Sequence, residues 1–404
     1  MSFTLSRRLA RRFGALLTAL ACVPMMILGV AGPAAAAEGS EIILTLPGEK
    51  KIEDKLVYLI DGAVNNSWIK IANYDLREWS ISNRISDALQ TAVDRGVKIQ
   101  YLGDASQSST TAYTDLKTKV DNDAHADTWA RTCENYACNH TASWTDMHNK
   151  FYLFGYTRGT QDVLVQTSAN ITWNAGGYDS ANDAVVLTGA DSAGLWAGYW
   201  SYFAQLASNA NDTDYYKIIK DVAGHAHFHP RASGDHRTSV IDKVDCVAGK
   251  SIRITVQRID DADVITQLRK AQKEGCTVEV ITNGYNADEQ GGVDALRAAG
   301  TSTQSPVSVR DFKRGASRCV HSKYMIIDGA INDTIDGIGY ASGKYIFTGS
   351  ANFTVGSRMG SDETVLRLIK VGDKTAGAIY TDYKANWDAL KNLYDANVGG
   401  NHLC

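Results

Sequence analysis

The chain has 404 residues, 41 of them basic and 45 acidic, for a formal net charge of −4. Its length suits two domains of ordinary size, and its acidity gives no overall field toward nucleic acid. Beyond the first 37 residues no stretch is long and apolar enough to span a bilayer as a helix, which excludes a membrane-spanning helix there.

Residues 1–37 read as a secretory leader. Arg7, Arg8, Arg11 and Arg12 form a basic start, Phe13 to Val30 is apolar, and Ala34 to Ala37 offers a small-residue cleavage site. The expectation is an exported, extracellular protein whose net charge becomes −8 once those four arginines are gone. Cys22 leaves with the leader, and Cys133, Cys138, Cys246, Cys276, Cys319 and Cys404 stay. An even number in an exported chain predicts disulfides. Cys133 is expected to pair with Cys138 across a short loop. Cys276 opens a strand and Cys319 precedes one, so these are paired next, leaving Cys246 with Cys404 by elimination. No C-x2-C pair supports zinc.

The rest of the chain reads as a duplication. Helix Ile52–Val64 places Leu56, Leu59, Ile60 and Ala63 on one side and has a counterpart at Thr238–Val247. Strand Ser67–Tyr74 is repeated by Lys250–Gln257. Helix Ile81–Asp94 is repeated by Ala262–Glu274, each stopped at a glycine, Gly96 or Gly275. Strand Val97–Leu102 is repeated by Cys276–Thr282. Two polar stretches follow, Gly103–Met147 and Gly284–Ser317, expected to be mostly solvated connections beside the site. Then come apolar runs at Phe151–Phe154 and Tyr324–Ile327, strands at Asp183–Leu187 and Glu363–Leu368, and aromatic-rich helices at Ala193–Ala207 and Ala376–Leu393. In the first of these helices Leu195, Trp196, Tyr199, Trp200, Phe203 and Leu206 form a stripe that reads as core rather than as a membrane-docking face. The β-α-β order before each apolar run predicts an α/β fold of two similar domains, 38–222 and 223–404, each a mixed β-sheet flanked by helices. His225, His227 and His229 alternate and would share one strand face, as metal ligands can. No carboxylate or cysteine is grouped with them in the sequence, so no metal and no other cofactor is expected.

The chemistry is concentrated in a pattern that occurs twice. His148-Asn149-Lys150 precedes the first apolar run, and Thr167-Ser168-Ala169-Asn170 comes after it. His321-Ser322-Lys323 precedes the second, and Gly349-Ser350-Ala351-Asn352 comes after it. His321 and Lys323 each lie 173 positions beyond His148 and Lys150. Residues two apart on a strand leave the same face, so each motif presents an imidazole and an ammonium together. With a hydroxyl and an amide added, the set suits an anionic, phosphate-like group. The doubled pattern resembles the phospholipase D superfamily, whose signature is H-x-K-x4-D followed by G-S-x-N, and the resemblance covers nearly all of the chain after the leader. The second copy is complete, with Asp328. The first has Gly155 in place of the motif aspartate and Thr167 in place of the first glycine.

The resemblance implies a site between the halves, on a pseudo-twofold axis, that cleaves phosphodiesters without a metal. One motif histidine attacks phosphorus and the other protonates the leaving alcohol. Similarity to bacterial two-motif phospholipases D makes His148 the nucleophile and His321 the acid/base. Lys150, Lys323, Asn170 and Asn352 would hold the phosphoryl oxygens, with Ser168 and Ser350 as further donors. Asp183 lies 13 positions after Asn170 and Glu363 lies 11 after Asn352, where the superfamily carries an acid that fixes a histidine tautomer. Asp328 is architectural in the family, so Gly155 need not abolish activity. The leading expectation is an exported phospholipase D that cleaves the distal phosphodiester of a phospholipid, passing the phosphatidyl group to water or to a second alcohol. Trp144, Phe151, Trp173 and Tyr178 fit a lipid substrate and transient contact with a membrane surface. A secreted nuclease is the alternative, with Lys313, Arg314, Arg318 and Arg358 as its candidate basic groove. A non-catalytic scaffold that binds phosphate-bearing surfaces is the third, against which stand the retained histidines, lysines and asparagines. Duplication supplies both half-sites, so a monomer suffices.

Overall fold

The computed structural model describes residues 38–77, 80–121, 127–172, 179–247, 249–283, 287–312, 320–340 and 343–396. The expectations for the leader 1–37, for Trp173 and Tyr178, for Lys313, Arg314 and Arg318, and for Cys319 and Cys404 lie outside the described residues.

Two mixed sheets carry the motifs. The first is built from β1 (Glu41–Leu44), β2 (Trp68–Asn73), β3 (Lys98–Gly103), β4 (Trp129–Thr132), β5 (Lys150–Thr157), β6 (Thr160–Thr167) and β7 (Asp183–Leu187), in the order β1-β7-β6-β5-β2-β3-β4. The second holds β8 (Lys217–Lys220), β9 (Gly224–Phe228), β10 (Ser251–Val256), β11 (Thr277–Asn283), β12 (Ser308–Phe312) and β13 (Lys323–Asp328). A short ribbon, β14 (Thr334–Ile335) and β15 (Ile338–Gly339), stands apart from the sheet, and β16 (Lys344–Gly349) and β17 (Thr364–Leu368) complete it in the order β12-β11-β10-β13-β16-β17-β9-β8. Apart from β8 the two orders are the same. In each, parallel pairing ties the β-α-β strands (β2 with β3, β10 with β11), and the motif strand pairs antiparallel with the first of them (β5 with β2, β13 with β10). The expected boundary fell at 222/223; the second sheet already begins at Lys217.

Each sheet buries one face under its own helices and the other against the opposite half. Helices α1 (Lys51–Gly62), α2 (Ser80–Asp94) and α3 (Thr111–Asp121) cover the first sheet with an apolar layer that includes Leu59, Leu89 and Leu116. After α4 (Ala193–Ala207), helices α5 (His236–Asp242), α6 (Ala262–Glu274) and α7 (Ala287–Arg297) follow in the second half, where Val240, Leu268 and Leu296 join its outer layer. The helix α6 is stopped at both ends by local chemistry. The Asp261 carboxylate accepts from the Asp263 N–H, and Gly275 ends it at φ 117°, a left-handed turn that favours glycine. Between the sheets lies one shared core. Leu195, Tyr199, Tyr202, Phe203 and Leu206 of α4 pack there with Phe151 of the first sheet and Phe228 and Ile346 of the second, as do Ile379, Tyr383 and Trp387 of the last helix. The aromatic stripe of α4 is therefore core, with Trp196 and Trp200 at its half-buried edge.

Two expectations are corrected here. The polar stretches are not mere connections: α3 and β4, and α7 and β12, extend each sheet by a further parallel β-α-β step. Cys133 does pair with Cys138, but Cys276 pairs with Cys246 rather than Cys319. The reason is strand direction. Strands β10 and β11 are parallel with Ser251 opposite Thr277, so the segments that enter them lie side by side. Strand β13 runs antiparallel, with Lys323 opposite Val256, and its entry is at the other end of the sheet. The proposed Cys246–Cys404 pair falls with that assignment.

Candidate active site

The halves meet through two reciprocal backbone bridges. The His148 N–H donates to the Asp362 carbonyl (3.0 Å), and the His321 N–H donates to the Ala181 carbonyl (2.9 Å). Each motif histidine is thus pinned to the residue that leads into the other half's last major strand, as a pseudo-twofold relation requires. Within each motif the lysine folds back: Lys150 Nζ donates to the His148 carbonyl at 2.5 Å, and Lys323 Nζ to the His321 carbonyl at 2.5 Å. Both lysines are buried.

The same bridges set what each imidazole touches. His148 Nδ1 lies 2.8 Å from Glu363 Oε1, and the carboxylate is fully buried. His321 Nδ1 lies 3.2 Å from Asn182 Oδ1. The amide's orientation is fixed by its other bonds, since Ser168 Oγ donates to Oδ1 (2.9 Å) and Nδ2 donates to the Ser180 carbonyl (3.2 Å). Each histidine is therefore oriented by a residue of the opposite half, one by a carboxylate and the other by a neutral amide.

This corrects the role expected for Asp183. The serine bonds give the register: Ser168 Oγ accepts from the Asp183 N–H as Ser350 Oγ accepts from the Thr364 N–H, both at 2.9 Å. Asp183 is thus the counterpart of Thr364, and Asn182 the counterpart of Glu363. The Asp183 carboxylate instead accepts from Thr348 Oγ1 and from the Lys323 N–H (3.4 Å), fully buried. Burial raises its pKa, against the hydrogen bonds. The two serines are corrected likewise: both are fully buried with partners on the strand behind, so they hold Asn182 and β17 in place rather than face a substrate. Asn170 and Asn352 sit closer to the surface, and the Oδ1 atom of each has no hydrogen-bond partner among the described residues. Arg358 belongs to no basic groove, because its guanidinium is buried against Asp261 at 3.0 Å.

Electrostatics make His148 a free base near neutrality. Burial pulls its pKa down to about 4; Glu363 opposes this, and the Lys150 and Lys323 ammoniums add to it. Burial likewise lowers Lys150 to about 7, against the pull of Glu363 and Asp146. For Glu363 burial acts upward, but His148 and Lys150 outweigh it, and the carboxyl lies below its ordinary range. With Nδ1 engaged, His148 has Nε2 left to present to a pocket of about 500 Å³, which it lines with Asn352, Glu363, Asp146, Trp144 and Thr354. Tyr74 packs on the ring at 4.8 Å and takes the Lys150 ammonium over its own face at 5.0 Å.

Sequence reasoning missed Asn182, Asp146 and Asp362. Asp362 accepts from the N–H groups of Cys138 (2.6 Å) and Asn139 (3.4 Å), so the first disulfide loop is fastened directly behind Glu363. The motif position lost in the first half, Gly155, matches Asp328, which pairs with Lys344 at the far end of β13. Its replacement removes an ion pair and leaves the site untouched. The three alternating histidines are not one metal face. His227 stacks on His236 with centroids 3.9 Å apart and contacts Tyr216 Oη at 2.8 Å, while Asp336 binds His236 (2.9 Å) and the two Arg231 nitrogens (2.9 and 3.1 Å).

The sequence matches the family model described as cardiolipin synthase, PLD-like domain, twice, over residues 56–206 and 246–387. No curated protein matches it. Among solved structures it is similar to phosphatidylserine synthase from Haemophilus influenzae Rd KW20, with 12% identity and TM-score 0.56, over 87% of this chain and 86% of that one. It is also similar to polyphosphate kinase from Porphyromonas gingivalis, with 12% identity and TM-score 0.53 over 82% of this chain. The chain spans only 48% of that kinase's length. At such identities these likenesses show the fold.

Proposed function

The chain belongs to the family of phospholipase D-like domains, and from that premise we propose that it is an exported phosphodiesterase acting on phospholipids. The observation that carries the reading is the pair of crossed histidine supports, Glu363 on His148 and Asn182 on His321. His148 is a neutral imidazole with its Nδ1 proton held by a buried carboxylate. As Nε2 attacks phosphorus the ring becomes cationic, and Glu363 is in place to balance that charge. Lys150, Lys323, Asn170 and Asn352 hold the phosphoryl oxygens. The P–O bond to the leaving alcohol breaks as His321 delivers a proton to that oxygen; His321 then takes a proton from water or a second alcohol, whose oxygen displaces His148 from phosphorus. A lipid is favoured over nucleic acid by the rim of the pocket, where Trp144 and Val355 stand 55% and 43% exposed, and by the burial of Arg358. Export is supported by the leader and by two disulfides. The membrane surface is met transiently, by a monomer.

The test is release of head-group alcohol from phosphatidylcholine vesicles, in parallel with plasmid nicking, both with EDTA present. Lipid turnover that survives the chelator and is abolished in His148→Asn is expected. Nicking without lipid turnover would move the protein to the nuclease class, and neither activity would leave the scaffold.

A further inference from the structure

Duplication makes each half a template for the other, and one strand has no counterpart. Strand β1 of the first sheet matches β9 of the second. Each pairs antiparallel with the strand that follows a histidine support, β7 after Asn182 and β17 after Glu363. Each chain segment also grips that support directly: the Thr45 N–H donates to the Asn182 carbonyl and the His229 N–H to the Glu363 carbonyl, both at 2.9 Å. Beyond β9 the second sheet adds β8, paired antiparallel from Lys217 to Lys220. Beyond β1 the first sheet adds no strand among the described residues.

The position equivalent to that of β8 is open. A groove of about 710 Å³ runs along all four residues of β1, Glu41 to Leu44. Lys55 and Tyr58 of α1 line one side of it, and Asp382 of the last helix (Ala376–Ala396) lines the other. Helix α1 covers the outer face of the sheet and the last helix belongs to the shared core, so the groove continues the sheet between its two layers. The Thr45 N–H turns toward β7, and antiparallel alternation therefore turns the N–H and C=O of Ile42 and Leu44 outward. None of these groups has a partner on that side among the described residues.

Strand β8 shows what fills such a slot. Its Ile218 packs into the outer layer of its half, and Ile219 into the shared core, pressed against Gly198 of α4. The matching surfaces beside β1 are Ile43 with the exposed Tyr58 on the outer side, and Ile42 with Leu44 on the inner. Charge at the rim is balanced. Lys55 pairs with Glu38 and Glu41 at 2.5 Å each, Lys51 with Glu49 at 2.8 Å, and Lys374 with Asp382 at 2.6 Å. Recognition is left to main-chain hydrogen bonds and apolar side chains.

We propose that the free edge of β1 docks an extended segment of another polypeptide, added as an antiparallel strand with two successive apolar residues at its centre. A bare strand enters between the two helices. The β1 edge of a second copy does not, because it is recessed between its own helices in the same way.

The probe is a fluorescein-labelled octapeptide with valine and isoleucine at its centre and serine and threonine on either side, titrated with the protein by fluorescence anisotropy. Saturable binding with a Kd below about 1 mM is expected. N-methylating the two central residues removes main-chain donors, keeps the side chains, and should weaken binding at least about tenfold. Ile42→Pro deletes an outward N–H and no ladder bond, and should do the same. Hydrogen exchange reads the place: the Ile42 and Leu44 amides should slow when peptide is added. Should Ile42→Pro fail to fold, Tyr58→Ala, at an exposed side chain, should weaken binding instead. No binding at about 1 mM peptide overturns the inference, as does binding that survives N-methylation or protection that appears on β8 or β4 rather than β1. Dimerisation in sedimentation that the peptide competes away would give the slot to a second copy and overturn it too.

Discussion

Replacing Glu363 by Gln tests the central contact of the site. The change keeps the shape and an acceptor for His148 Nδ1, but deletes the negative charge 2.8 Å from that nitrogen. The charge matters most when the ring becomes cationic. A carboxylate roughly 5 Å from the ring's centre, at an effective dielectric of about 20, is worth about 3 kcal/mol. At 1.36 kcal/mol per tenfold, that is a fall in kcat of roughly 100-fold. KM should change little, because ground-state binding falls to the lysines and asparagines. The appropriate assay is rapid-mixing release of nitrophenol from an activated diester, where formation of the phosphohistidine is seen as a burst. The burst itself should slow, since an activated leaving group needs no proton. A loss below about fivefold in a variant whose thermal unfolding is unchanged would refute the argument. So would a slowed second phase with an intact burst, which would put the charge on the other histidine's step.

Three further outcomes follow from the same geometry. Asn182→Asp places a carboxylate against His321 Nδ1 and should raise that histidine's pKa, shifting the limb of the kcat pH profile that reports it upward by about one unit; an unmoved limb would separate Asn182 from the acid/base step. Burial raises the Asp362 pKa to about 7. A carboxyl raised above its unfolded value penalises the fold once both states ionise, at high pH, and the penalty shrinks as pH falls through the folded value. Asp362→Asn should therefore stabilise by roughly 2–3 kcal/mol more at pH 8 than at pH 5 in denaturant titrations, and an equal effect at the two would contradict the assignment. Removing Cys246–Cys276, which spans 30 positions, should cost about 3.5 kcal/mol, against about 2 for Cys133–Cys138, which spans 5. Yet the shorter bridge should affect turnover more, because its loop fastens Asp362 behind Glu363; comparing the double-serine variants in unfolding and turnover checks both.

Much of this site was legible because its parts occur twice in the same order. Two H-x-K and two S-A-N segments announce a duplicated sheet, and the crossed bridges at Met147–Asp362 and Ala181–Val320 bring the two copies together as that duplication implies. Less was legible where the signal is short and polar. Strand β4 has four residues, one facing fully inward, and α3 shows its apolar side only through Ala112, Tyr113, Leu116 and Val120 amid threonines and lysines. Composition read that stretch as loop, and parallel pairing with β3 made it sheet. The disulfides failed for a related reason: proximity to a strand's start is visible in sequence, but which end of the sheet that start occupies is a matter of strand direction.

The instructive failure is Asp183, because a single residue of register separates it from the correct position. An acid follows the asparagine in both halves, 13 positions on in one and 11 in the other, so the count from the asparagine does not fix the register. Counting from the serine's bond to the following strand puts Asn182 in the matching position. A strand alternates faces, so a shift of one turns the side chain from the site to the interior. Asp183 accordingly fills a buried slot that its counterpart Thr364 satisfies with a hydroxyl donated to Asn149 at 2.8 Å. The duplication is therefore symmetric in backbone and unequal in charge. One histidine is backed by an anion that can balance a phosphorylated, cationic ring. The other is backed by an amide that orients it without stabilising its proton, which suits a group that must give that proton up. The division of labour proposed for His148 and His321, invisible in the motifs, rests on the residues that each half lends to the other.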